Sequence, residues 1–215
     1  MRRTRIKICG ITRVEDAVAA AACGADAVGF NCYERSPRFV APDRLRPLAA
    51  ALPPFVTPVL LFVNADPAHV KTCLAEVPQA LLQFHGDETR AECERFERPY
   101  LRALRMVEGV DLLDCEHAFP SAMALLADAP APGYGGGGSA FDWERLPTAA
   151  RRRMPLVLAG GLDDSNVGAA ISHVRPYAVD VASGVEAAPA VKSAEKMRRF
   201  CAAVRAADRE VFPEP

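Results

Sequence analysis

The chain lacks a long hydrophobic run. Its longest apolar stretch, residues 17–25, falls far short of the roughly 20 residues a bilayer-spanning helix needs. The first ten residues, MRRTRIKICG, are basic but carry no apolar segment of the roughly 7–15 residues that mark a secretion signal. There is no C-x-x-C pair, and the seven cysteines make an odd number. A secreted disulfide framework is thereby excluded, and free thiols in a reducing cytoplasm are expected. An excess of charge of one sign is also missing. With 26 basic and 27 acidic residues the net charge is −1, which argues against nucleic acid as a partner, because phosphate backbones select clearly basic faces. The 22 arginines against four lysines reflect coding bias. Disorder is excluded by what is present: 50% of residues are apolar and 25% charged. A chain of 215 residues with that content can bury a substantial core as a single domain, residues 1–215.

Short apolar, β-branched runs recur at residues 5–9, 26–30, 57–63, 80–85, 100–106, 122–127, 156–159 and 177–182. Most are continuously apolar rather than alternating, as expected of strands buried on both faces of a parallel sheet. Helical patterns follow each one. The first comes after Thr12, with Glu15 three residues on as in a capping box. Others follow Pro42-Asp43, Asp66-Pro67, Asp87-Glu88 and Glu108, and the last three begin near Asp142-Trp143, after Asp163-Asp164 and near Val191. Eight strand–helix repeats predict an α/β fold, the (β/α)8 TIM barrel, at the compact end of its size range. The alternative, a doubly wound open sheet, usually has fewer strands and a phosphate loop after the first. Here Cys9-Gly10-Ile11-Thr12 stands in place of G-x-G-x-x-G. Residues 130–139 (PAPGYGGGGS) read as a loop at the barrel mouth after strand six. An interdomain linker there would strand a C-terminal piece of two strands.

In such a barrel the chemistry sits at the C-terminal strand ends. Cys9 ends strand one; a free cysteine is commonly a buried small hydrophobe, but a strand-end thiol followed by glycine is also placed to react. Arg38, in the Ser36-Pro37-Arg38 turn, is either a solvated surface residue or a planar fork for a carboxylate or phosphate. Gln83 and His85 share a face at the end of strand four, where histidine more often packs than catalyses. Asp128 ends strand six, as a turn cap or as an acid or base. After strands seven and eight, Gly160-Gly161 and Ser183-Gly184 let backbone N–H groups approach an anion, at the usual phosphate position of this fold; ordinary tight turns are the bland alternative.

Taken together, Lys7-Ile8-Cys9-Gly10-Ile11-Thr12, Gly24 to Phe30, Ser36-Pro37-Arg38, Phe62-Val63-Asn64, Gln83-Phe84-His85-Gly86, Phe141-Asp142-Trp143, Ala159-Gly160-Gly161-Leu162 with Asn166-Val167, and Ser183-Gly184-Val185-Glu186 resemble the phosphoribosylanthranilate isomerase family over nearly the whole chain. The resemblance implies a tryptophan-biosynthesis enzyme that carries out an Amadori rearrangement without cofactor or metal. It implies Cys9 as general base, Asp128 as general acid and Arg38 on the anthranilate carboxylate. The phosphate would lie between the loops carrying Gly160, Gly161, Ser183 and Gly184. Asp180, whose side chain alternates with Val181, is expected to face the ligand too. Departures from the family pattern fall at Gly137, where a hydroxyl residue is usual, at Phe84 and Ala182, and in Pro189-Ala190-Val191-Lys192-Ser193, which replaces Gly followed by Lys-Asp. They bear on affinity and leave the acid, base and carboxylate clamp in place. The expected partner is a phosphorylated small molecule, not nucleic acid or membrane, and the expected state is a cytoplasmic monomer or homodimer. Two other readings compete. Indole-glycerol-phosphate synthase chemistry needs lysine and glutamate at strand ends, whereas the nearest lysine, Lys7, lies inside strand one. A catalytically silent phosphosugar-binding barrel would have no use for both Cys9 and Asp128.

Overall fold

The computed structural model describes residues 3–130 and 141–212. Eight parallel strands close on themselves: β1 (Arg5–Cys9), β2 (Ala27–Asn31), β3 (Thr57–Phe62), β4 (Leu81–Phe84), β5 (Tyr100–Arg105), β6 (Ala124–Asp128), β7 (Leu156–Leu158) and β8 (Ala178–Val181), with β8 pairing back onto β1. Among the described residues seven α-helices surround them: α1 (Val14–Cys23), α2 (Pro42–Ala50), α3 (Pro67–Glu76), α4 (Arg90–Glu94), α5 (Leu112–Ala118), α6 (Val167–Val174) and α7 (Ala194–Val211). A small antiparallel hairpin, β9 (Glu186–Ala188) with β10 (Val191–Lys192), follows β8. The fold is therefore the TIM barrel that the eight apolar runs predict.

Side chains alternate along each strand. One set faces the helices: Ile6, Ile8, Val28, Phe30, Leu60, Phe62, Leu82, Phe84, Leu125, Val179 and Val181 belong to one continuous apolar shell. The other set faces the barrel axis. Its lower part is apolar, with Val59, Leu101, Ala103, Leu126, Val157 and Ala178 in contact. The buried polar side chains Lys7, Gln83, Asp128 and Asp180 lie at alternating positions on this inner face.

Two local expectations differ from the structure. The pattern near Trp143 forms only one turn of 3-10 helix, Trp143–Arg145. Pro147 follows Leu146, and a residue before proline is pushed to extended backbone, here φ −83° and ψ 138°. The Thr12–Glu15 capping box does not form. The Thr12 hydroxyl donates instead to the Ala190 carbonyl at 2.7 Å, and α1 starts without a side-chain cap. A capping box does form at α4, where Thr89 and Glu92 satisfy each other's backbone N–H groups. Most of the glycine-rich run, including Gly137, lies outside the described residues.

Candidate active site

The C-terminal rim of the barrel collects the sequence candidates. Cys9 is the last residue of β1 and Asp128 the last of β6. Each is only 6% exposed. The Cys9 sulfur sits in a small apolar group with Leu61, Val63, Tyr33 and Ala182. Burial pushes its thiol above the ordinary cysteine range; Lys7 is the strongest opposing influence, Asp180 adds to the rise and Lys192 opposes it.

Asp128 is held at both oxygens. Oδ1 accepts from its neighbour's backbone, Ala129 N–H, at 2.9 Å, and Oδ2 lies 3.1 Å from His85 Nε2. His85 stands just past β4 and its Nδ1 is 3.1 Å from Gln83 Nε2. Three lumen-facing residues from two strands thus form one hydrogen-bonded line, Gln83–His85–Asp128, in which the imidazole connects a buried amide to the carboxyl group. His85 is the functional candidate that sequence reading left among packed residues. Its signal was its shared face with Gln83.

Arg38 lies across the mouth against Gly10. A Cβ on Gly10 would come within 2.3 Å of Arg38 Cδ, and Gly10 takes φ +75°, so only glycine fits after Cys9. The Arg38 guanidinium spends its Nε and Nη2 on Glu186, at 2.7 and 2.8 Å. Glu186 also accepts from Lys192 Nζ at 2.8 Å, and Lys192 in turn donates to the Ala182 carbonyl at 2.9 Å. Although burial works against ionisation, the hydrogen bonds from Arg38 and Lys192 hold the Glu186 carboxyl below its usual range. Two cations share one carboxylate here, so a surplus of positive charge stays beside Cys9. That surplus suits an anionic ligand and favours a thiolate. Lys192 and Glu186 come together through the β9–β10 hairpin, and no local pattern in the sequence announces the pairing. The Pro189–Ser193 departure falls in the same hairpin and keeps its working parts: Lys192 is buried, and Ser193 Oγ caps α7 by accepting from Lys196 N–H at 3.3 Å.

The proposed anion loops are neighbours. Gly160 and Gly161 take left-handed φ values of +84° and +62° between β7 and α6. A Cβ on Gly184 would sit 2.0 Å from the Leu162 carbonyl oxygen, so the loop after β8 presses directly on the loop after β7. Asn166 fixes the turn by donating to the Gly161 carbonyl at 2.8 Å. Asp180, expected to face the ligand, has both carboxylate oxygens on Lys7, at 2.9 and 3.0 Å. Phe84 belongs to the outer shell and stacks near Phe96 with ring centroids 5.9 Å apart, away from the mouth. Among the described residues no cluster of three or more His, Cys, Asp or Glu side chains could hold a metal ion, and no helix is long and apolar enough to cross a membrane.

The sequence profile of the N-(5′-phosphoribosyl)anthranilate (PRA) isomerase family matches residues 6–203. The chain belongs to this family. The N-(5′-phosphoribosyl)anthranilate isomerase of Methylibium petroleiphilum is 55% identical over 97% of each chain. The phosphoribosyl anthranilate isomerase of Thermus thermophilus superposes with a TM-score of 0.83 at 38% identity, covering 94% of this chain and 99% of that one. A structure of monomers generated from the dimeric isomerase of Thermotoga maritima gives 0.75 at 32% identity, covering 94% and 98%. The enzyme is thus an isomerase of tryptophan biosynthesis. It converts N-(5′-phosphoribosyl)anthranilate to 1-(2-carboxyphenylamino)-1-deoxy-D-ribulose 5-phosphate.

Proposed function

We propose that Cys9 and Asp128 divide the proton transfers of this isomerisation. The observation that carries the reading is their joint position: both side chains are buried on the same rim, with Asp128 hydrogen-bonded to His85. The Asp128 carboxyl donates a proton to the ribose ring oxygen. The bond from that oxygen to C1 breaks as the anthranilate nitrogen forms a protonated Schiff base. The Cys9 thiolate then takes the proton from C2, and the C2–H electron pair moves toward nitrogen to give an enolamine, which tautomerises to the ketone. Acid and base on one sugar supply the chemistry by general catalysis.

With Gln83 Nε2 donating to His85 Nδ1, the imidazole carries its proton on Nε2 and donates it to Asp128 Oδ2. The carboxyl O–H is thereby left to point at the ribose ring oxygen. Arg38 holds the anthranilate carboxylate with the guanidinium edge that Glu186 leaves free, an end-on pairing on Nη1 and Nη2. The phosphate lies between Gly160-Gly161 and Ser183-Gly184, and its distance from the reacting carbons makes it an orienting handle. The whole chain forms one catalytic domain working in the cytoplasm.

The test uses the fluorescence of the anthranilate substrate. It falls steadily when catalytic amounts of enzyme are added, and Cys9→Ser slows that decay by roughly 10²–10⁴. Near wild-type turnover in Cys9→Ser overturns the assignment. A binding barrel would change the signal once, in proportion to protein.

The partner is a second copy of the chain. At the opposite, N-terminal mouth, Phe55 is fully exposed with φ +71° on the rim of a cavity of about 610 Å³, whose walls include Val59, Leu81, Leu101 and Val157. A two-fold arrangement buries each Phe55 in the other copy's cavity, in keeping with the dimeric Thermotoga relative. Sedimentation at dimer mass, reduced to monomer by Phe55→Glu, is the expected result, and a wild-type monomer at micromolar concentration excludes it.

A further inference from the structure

Beneath the mouth lies an ion pair that the acid–base reading leaves without a task. Lys7 is a lumen-facing residue of β1, on the same face as Cys9 and one layer below it. Asp180 is its register partner on β8. The Lys7 Nζ donates to both Asp180 oxygens, at 2.9 and 3.0 Å, and the two side chains are 4% and 8% exposed. A buried pair of this kind is weak evidence for stability, since apolar residues of like volume often serve as well. Its placement is more telling. The point that a Cβ on Gly29 would occupy is 2.7 Å from Cys9 Sγ and 3.2 Å from Lys7 Nζ. Thiol and ammonium therefore border the same methyl-sized gap.

We propose that Lys7 is a positioning residue whose ammonium, clamped by Asp180, stabilises the Cys9 thiolate and so sets how much of the enzyme has its base ready. The inference rests on Cys9 being the base. Before each turnover the thiol gives its proton to water. The thiolate then takes the C2 proton, while Lys7 keeps its three protons throughout. Burial alone would strip a proton from the amine, but Asp180 and Cys9 outweigh it and hold Lys7 above its ordinary range. The other charged groups acting on the sulfur are Asp180, which disfavours the thiolate, and Lys192 and Arg38, which favour it. Those two cations share Glu186 at the mouth, whereas Lys7 faces the sulfur from below.

The test reads the thiol directly and the reaction separately. Protein grown on cysteine labelled with ¹³C at Cβ gives a Cys9 resonance, assigned by its loss in Cys9→Ser, whose titration midpoint is followed in wild type, Lys7→Met and Lys7→Arg. The double variant Lys7→Met/Asp180→Asn removes both charges and serves if the lone Asp180 prevents folding. Lys7→Met should titrate about one to three pH units higher, as for loss of a neighbouring opposite charge; the double variant should rise by less, because losing Asp180 removes a charge that disfavours the thiolate, and Lys7→Arg should stay near wild type. The rise of kcat with pH should move by the same amount, with KM little changed. An unchanged Cys9 midpoint in folded Lys7→Met, or a double variant that titrates like Asp180→Asn alone, overturns the proposal. A midpoint that moves while the pH–rate profile stays put upholds the hold of Lys7 on the sulfur and overturns Cys9 as the base.

Discussion

The lumen and the outer shell of this barrel are built from alternate residues of the same eight strands, yet they differ in almost every respect. The shell between strands and helices is filled by large apolar side chains such as Phe30, Leu60 and Phe62, each fully buried. Its main exception is Arg102, whose Nη1 donates to Glu88 and the Phe84 carbonyl and whose Nη2 donates to the Gly86 carbonyl. The lumen is filled by smaller apolar residues below and by Lys7, Asp180, Gln83, His85, Asp128 and Cys9 above. One strand therefore presents stability to one side and chemistry to the other. Burial in the shell removes apolar area from water and is worth roughly 1.5–3 kcal/mol for each large side chain. Burial in the upper lumen costs free energy, offset by pairing, and what it yields is shifted proton affinity and fixed geometry.

The sharpest way to break this comparison is to mutate both sides of the barrel wall. Phe30→Ala on the shell side should lower unfolding free energy by about 3–5 kcal/mol and leave the kcat of the folded fraction nearly unchanged. Asp128→Asn on the lumen side should lower kcat by roughly 10²–10⁴, about 3–5 kcal/mol of barrier, with a far smaller change in unfolding free energy. Denaturant melts and steady-state kinetics on the two variants check both halves. If Asp128→Asn unfolds the barrel and keeps its rate, the division of labour is wrong.

A weaker effect sharpens the distinction within the mouth. Arg38→Ala should raise KM by about 10–100-fold, the loss of a charged hydrogen-bonding pair, with kcat reduced much less. The same change frees Glu186, which Lys192 continues to hold. Substrate titration of the variant decides the matter: unaltered KM would make Arg38 a partner of Glu186 alone.

The contrast between the two layers also explains what could be read in advance. Continuous apolar runs such as residues 57–62 announce strands buried on both faces, and their register with Cys9, His85 and Asp128 at the ends locates the mouth. Period two also places Lys7 on the same face as Cys9. What escaped were mostly long-range competitions, with one local stop. Thr12 and Glu15 match a cap pattern perfectly well, but the Ala190 carbonyl, distant in sequence, takes the hydroxyl. Asp142 does accept from Glu144 N–H as a helix cap would, at 3.0 Å, yet Pro147 ends the turn at once. Asp180 reads as a ligand contact from its alternation alone; only the closure of β8 onto β1 gives it Lys7.

The smallest expected effect concerns the hairpin that carries Lys192 to the site. Ala190 takes φ +63°, in the left-handed region where a Cβ is crowded. The backbone is fixed there because the Ala190 carbonyl accepts from Thr12 at 2.7 Å and the following residues pair with β9. Ala190→Gly should relieve the strain of about 1 kcal/mol, less the extra chain entropy that glycine brings to the unfolded state. A net gain of about 0.5 kcal/mol or less is expected, some 1–2 °C in Tm for a chain of this size, with kcat and KM unchanged because Lys192 and Glu186 stay in place. A loss of stability would show that the hairpin holds its shape at no cost to Ala190, and that the chain entropy of glycine decides the sign.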